Sequence, residues 1–144
     1  MAHPVMFDSA DPYLDRLRAI CLALPGTDEK VSHGRPSFFT RKVFAIYGGV
    51  LKGDHDPEPY RQALLVLPEE TERPALLQDE RFVVPGYLGP HGWLMLDLRN
   101  PRGAEGVDWD EVVELVDTSY RLTAPAGLVR SLGHPTRPGR PGPL

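Results

Sequence analysis

The chain has 144 residues, 41% of them hydrophobic and 25% charged, with a formal net charge of −4. This describes one ordinary globular domain that needs no metal or disulfide staple, and the single cysteine, Cys21, excludes an internal disulfide and a cysteine-based metal cage. The acidic balance argues against a general polyanion binder. No apolar run approaches the roughly 18 residues of a membrane span, and the first eight residues lack the charged start and apolar core of a signal peptide, so the cytoplasm is the expected compartment.

Asp11-Pro12 opens a first helix, with an acceptor at the N-cap and a proline where a missing N–H costs nothing. Leu14, Leu17, Cys21 and Leu24 follow at helical spacing beside Ile20, and Pro25-Gly26 stops the helix. Cys21 therefore reads as core rather than as a nucleophile. The polar stretch from Thr27 to His33 holds a short strand, Gly34-Arg35-Pro36 signals a turn, and Ser37–Thr40 and Lys42–Tyr47 are strands joined at an Arg41-Lys42 hairpin tip. Gly53–Pro59 is a loop, Ala63–Leu67 a strand, and Pro68-Glu69-Glu70 the expected start of a second helix anchored by Leu76 and Leu77. Phe82–Val84 and Trp93–Leu98 complete the strands. Val107-Asp108-Trp109-Asp110-Glu111 caps a third helix with a broad apolar face, Pro125 starts a short last one, and residues 133–144 form a Pro/Gly/Arg tail with little to bury. The domain proper is thus expected over residues 1–132. Short hairpins between the strands predict an α+β fold: an antiparallel sheet with the terminal helices packed on one face and the other face partly open.

No motif compels a reaction. None of the serines sits in a Gly-x-Ser-x-Gly elbow, and Ser119, which could be grouped with His91 and Asp97, falls inside a helix, a poor place for an activated nucleophile. Asp54-His55-Asp56 matches no zinc or calcium spacing, and there is no Walker A loop or dinucleotide fingerprint. The expectation is a non-enzymatic protein with no cofactor and no metal. Two features remain. One is the window from Lys30 to Gly53, which holds Lys30, Arg35, Arg41, Lys42 and Lys52 and no aspartate or glutamate. A basic β-ribbon of this kind can follow phosphates, with Arg35, Arg41, Lys42 and Lys52 as the candidate contacts. The other is Tyr87-Leu88-Gly89-Pro90-His91-Gly92-Trp93, a rigid segment that presents Tyr87, His91 and Trp93 as a candidate ligand or partner surface.

These segments also carry a resemblance. Leu22–Gly26, Gly34–Phe38, Lys42–Ala45, Leu67–Glu70, Tyr87–Trp93, Asp97 and Leu115–Arg121 occur in the order found in the MmcQ/YjbR family of small bacterial proteins. The resemblance covers about residues 13–130. It implies a CyaY-like, frataxin-like fold and a proposed role in DNA binding through a double wing of exposed hairpins, with salt-sensitive DNA as the partner. The alternative reading is a protein-interaction or small-ligand module that uses the open sheet face without catalysis.

Overall fold

The computed structural model describes residues 7–133; the tail expected from residue 133 onward lies, beyond Gly133, outside them. The first helix, α1 (Pro12–Leu22), leads into a β-hairpin of β1 (Asp28–Ser32) and β2 (Arg35–Phe39), then β3 (Val43–Tyr47) and β4 (Ala63–Val66). A short α2 (Arg73–Leu77) precedes β5 (Phe82–Val83) and β6 (Leu94–Asp97), and α3 (Trp109–Thr123) and α4 (Ala126–Leu132) close the chain. The strands form one antiparallel sheet in the order β1-β2-β3-β4-β6-β5. The fold is α+β, as expected.

Two local expectations are corrected. The helix expected at Pro68 begins only at Arg73, with Pro74 in its first turn. A helix begun at Pro68 would have carried Pro74 into its interior, where the ring clashes and the N–H is missed. The turn expected at Gly34-Arg35-Pro36 is instead His33-Gly34, with φ of 53° and 82°. A two-residue hairpin loop of type I′ needs both central residues at positive φ. Proline cannot supply that, so Arg35 and Pro36 fall in the strand.

Asp11 caps α1 by accepting from the Tyr13 N–H at 2.9 Å. The same carboxylate accepts from the Tyr47 hydroxyl and, at 3.3 Å, from Gln62 Nε2, which ties the start of α1 to the sheet. Leu14, Leu17 and Cys21 on α1 and Val112, Val116 and Tyr120 on α3 bury against Phe38, Phe44, Tyr47, Leu64, Val66, Leu94 and Leu96. Burial at these sites is the main source of stability, about 1.5–3 kcal/mol for each large side chain.

A β-bulge sharpens this face. Phe38 pairs with Ala45 and Phe39 with Val43, so Phe44 is the extra residue. It joins Ala45 in the helix-side core and meets the Tyr120 ring edge-on, with centroids 5.3 Å apart and planes at 87°. The bulge takes the Phe44 carbonyl out of the ladder, and the buried Ser119 hydroxyl donates to it at 2.6 Å. Ser119 Oγ also accepts from the Leu67 N–H at 3.0 Å, just past the end of β4. This serine is a clamp between α3 and two strands.

A candidate ligand pocket on the open sheet face

Residues directly opposite one another on neighbouring strands share a face. One row therefore crosses all six strands: Lys30, Ser37, Ile46, Leu65, Met95 and Val83. This row lies on the face away from α1 and α3. Ala63, Leu65, Trp93 and Met95 are buried there in a second apolar cluster, with Val43, Ile46 and Leu88 against it.

Part of this face is covered by the glycine-rich crossing after β3 and by the segment from Pro85 to Trp93. The two are laced together: Gly86 N–H donates to the Val50 carbonyl at 2.8 Å, Lys52 N–H to Val84 at 3.1 Å, and Leu51 bridges Pro85. Gly49 has no room for a Cβ, which would come within 2.8 Å of the Met95 sulfur and 3.0 Å of Leu65. A side chain at this position would push Met95 and Leu65 aside.

Between this cover and the β1–β2 turn is a cavity of about 720 Å³, within the range of pockets for small organic ligands. Val43, Ile46, Leu65, Leu88 and Trp93 form its apolar floor and wall. Ser32, His33, Arg35, Ser37, His55 and Tyr87 supply the polar groups and the rim. Among the described residues no aspartate or glutamate lines it.

Arg35 is the first residue of β2 and faces the pocket because its cross-strand partner is Ser32. Its stem runs over Gly48, where a Cβ would stand 3.4 Å from Arg35 Nε. Among the described residues no carboxylate or carbonyl pairs with the guanidinium, and burial draws its pKa below the usual arginine value. Tyr87 is unusual in backbone and exposure together. Leu88 N–H donates to the Gly86 carbonyl at 2.6 Å, which makes Tyr87 the centre of a γ-turn, at φ 63°. The positive-φ form of that turn is rare and strained. The residue is 78% exposed at the pocket rim.

The residues expected to act together are thus divided. Arg35, Tyr87 and Trp93 meet in the pocket. His91 is exposed in a 3₁₀ turn, and Lys52 is exposed on the crossing; neither lines the cavity. Arg41 and Lys42 are exposed at the β2–β3 tip, separated from Arg35 by the length of β2, about 13 Å of strand. Asp28, opposite Phe39, and Glu29, paired with Arg18 at 2.7 Å, stand beside that tip and interrupt the positive window. Lys30 lies 4.7 Å over the Phe39 ring. Asp54 accepts from the His55 and Asp56 N–H groups at 2.7 and 3.0 Å, and Asp56 from Glu58 at 3.1 Å, so these side chains shape their own loop. His33 and His55 were not anticipated as pocket residues; the His33-Gly34 pair, at hairpin-loop position, was the available signal for the first.

A smaller cavity of about 290 Å³ lies between α2 and α3 and is rimmed by Glu69, Glu72, Glu111, Glu114 and Asp117. Glu111 pairs with Arg81 at 2.8 Å and Asp117 with Arg121 at 2.9 Å. Acidic groups thus gather beside the helices, and the unpaired Arg35 belongs to the open face. Among the described residues no group of three or more histidine, cysteine or acidic side chains is placed to hold a metal, and no helix is long and apolar enough to cross a membrane.

No curated protein and no solved structure is significantly similar to the chain. A family model described as YjbR matches residues 22–122, a stretch that contains the whole sheet, α2 and nearly all of α3. Both the ordered motifs and the elements that build the pocket fall within this match, and the chain belongs to the YjbR family.

Proposed function

We propose that this YjbR-family protein is a binding module, without catalysis of its own, that takes a small organic ligand in the open-face pocket. The observation that carries this is the pocket itself: a cavity of about 720 Å³ over an apolar floor, with an arginine that is unpaired among the described residues and a strained, exposed tyrosine at its rim. Strain of this kind persists where the surroundings impose it, and it clusters at ligand sites. Ser119 Oγ is committed to two backbone groups, and Cys21 is buried, its thiol pKa pushed up by that burial, so neither stands free as a nucleophile. A thermal-shift screen of a metabolite panel tests this. Stabilisation by one chemical class, lost on Trp93→Ala together with Tyr87→Ala, is expected. Silence across the panel would sink it.

A second reading is favoured by one observation. Arg41 and Lys42 project from the hairpin tip with no ion-pair partner among the described residues, as a DNA-binding wing would require. Binding of labelled duplex DNA at about 50 mM salt should then fall steeply with added salt. Arg41→Ala with Lys42→Ala should reduce the log–log salt slope by about 2. No binding at low salt, or an unchanged slope in the double variant, would dispose of this reading.

A further inference from the structure

The pocket has chemistry enough to say what kind of ligand it suits, an inference that rests on the ligand-binding reading above. We infer that the pocket takes a monocarboxylic acid with a flat aromatic body, the carboxylate on Arg35 and the ring on the sheet floor between Trp93 and Tyr87.

Charge selects an anion. Among the described residues Arg35 lines the pocket, no acidic side chain does, and the guanidinium has no partner. A guanidinium sunk at the edge of an apolar cavity recovers its lost hydration only by pairing, and its planar fork matches a carboxylate. Charge also limits the anion. Phosphate recognition draws on converging backbone N–H groups or several cations. Among the described residues Arg35 is the one arginine or lysine on the lining, and it rises from a strand rather than a helix N-terminus. A single negative charge balances it.

Shape selects the rest. Ile46 and Leu65 sit directly opposite each other on β3 and β4, and side chains on a pleated face make a broad, shallow floor rather than a tunnel. Trp93 and Tyr87 stand at the wall and rim. The exposed Tyr87 ring and the small uncovered part of Trp93, over a flat aliphatic floor, favour a planar ring system, which gains aromatic contact as well as burial. Gly48 completes the arrangement. At φ 94°, with the Arg35 stem against it, it keeps the guanidinium over the cavity.

The test compares 1-naphthaleneacetate with its neutral amide, 1-naphthaleneacetamide, by ¹⁵N NMR titration of the full chain. The protein has two tryptophans, so two indole cross-peaks report separately. Trp93 lines the pocket, and Trp109 donates its indole N–H to the Ala104 carbonyl in another part of the fold. The acid should move the Trp93 indole peak, leave that of Trp109 in place, and bind about 10-fold more tightly than the amide, as one charge-assisted pair allows. Arg35→Met should weaken the acid more than the amide and bring the two affinities together. Equal affinity of the two compounds for the wild-type protein overturns the carboxylate assignment and leaves the ligand-binding reading standing, without depending on any variant. A concentration-dependent dimer that the acid does not dissolve would assign the face to a second copy of the chain and overturn it as well. If neither compound moves the Trp93 peak, this inference and the ligand-binding reading fall together.

Discussion

Replacing Tyr87 with glycine should make the protein more stable and a poorer binder. Tyr87 sits at φ 63° in a γ-turn, a conformation that costs a residue with a Cβ about 1–2 kcal/mol. Glycine relieves that strain but adds freedom to the unfolded chain worth about 0.4–1 kcal/mol. The residue is 78% exposed, so little packing is lost with the ring. The net gain is about 0.5 kcal/mol, or about 2 °C in Tm for a domain of this size. Tyr87→Ala is the control, since it removes the ring but keeps the Cβ and its strain. Alanine should therefore be the less stable of the two by the same margin, about 0.5 kcal/mol, while both lose affinity alike. Thermal and urea unfolding of the three proteins, with a ligand titration of each, measures both quantities. If Tyr87→Gly is destabilised by 1 kcal/mol or more, or if the alanine and glycine variants are equally stable, the tyrosine is a structural residue and its backbone stores no strain.

Two further predictions concern the frame that carries the pocket. Ser119→Ala leaves the Phe44 carbonyl and the Leu67 N–H without their partner, and should cost about 2–4 kcal/mol in urea unfolding with little change in m; a loss under about 0.5 kcal/mol would show that the bulge does not need the clamp. Burial, with the hydrogen bond to Asp11, raises the pKa of Tyr47, and burial raises that of Tyr120. The unfolded chain releases these protons near the usual tyrosine value of about 10, before the folded chain does. Their contribution is therefore complete below about pH 10 and is lost as pH rises beyond it. Tyr47→Phe should be less stable at neutral pH by about 1 kcal/mol and show a shallower alkaline decline; an unchanged alkaline slope would contradict the assignment.

Much of the frame was readable in the sequence because its signals are local. Asp11-Pro12 caps α1 where expected, Asp108 caps α3 by accepting from the Glu111 N–H, and the apolar spacings of both helices match their buried faces. The misplaced start of α2 is also local: Pro74 outranked Pro68 as the marker of a first turn. What could not be read is register. The bulge at Phe44 leaves no mark in the residues themselves, yet it decides that Phe44 and Ala45 share the helix side while Val43 and Ile46 line the pocket. The pocket suffers from the same limit. Arg35 and the Tyr87–Trp93 segment stood out separately as a basic window and a rigid turn. Their meeting depends on β3 leaving the sheet through Gly48-Gly49 and pairing its continuation with residues 84–86, a long-range contact that no short pattern encodes. The charge window shows the converse. Arg35, Arg41 and Lys42 are neighbours along the chain, and a single extended strand carries Arg35 away from the other two.

The central claim is that the open sheet face, rather than the hairpin tip or the acidic cleft by the helices, is where this protein meets its ligand. The direct measurement is ¹⁵N NMR mapping of the full chain against a library of small organic acids and neutral aromatics. The account predicts shifts confined to Ser32, Arg35, Ile46, Leu65, Tyr87 and the Trp93 indole, with Arg41, Lys42, Glu114 and the Trp109 indole unmoved. Shifts centred on Arg41 and Lys42 or on the cleft between α2 and α3, or no shifts on the open face with any compound, would contradict it.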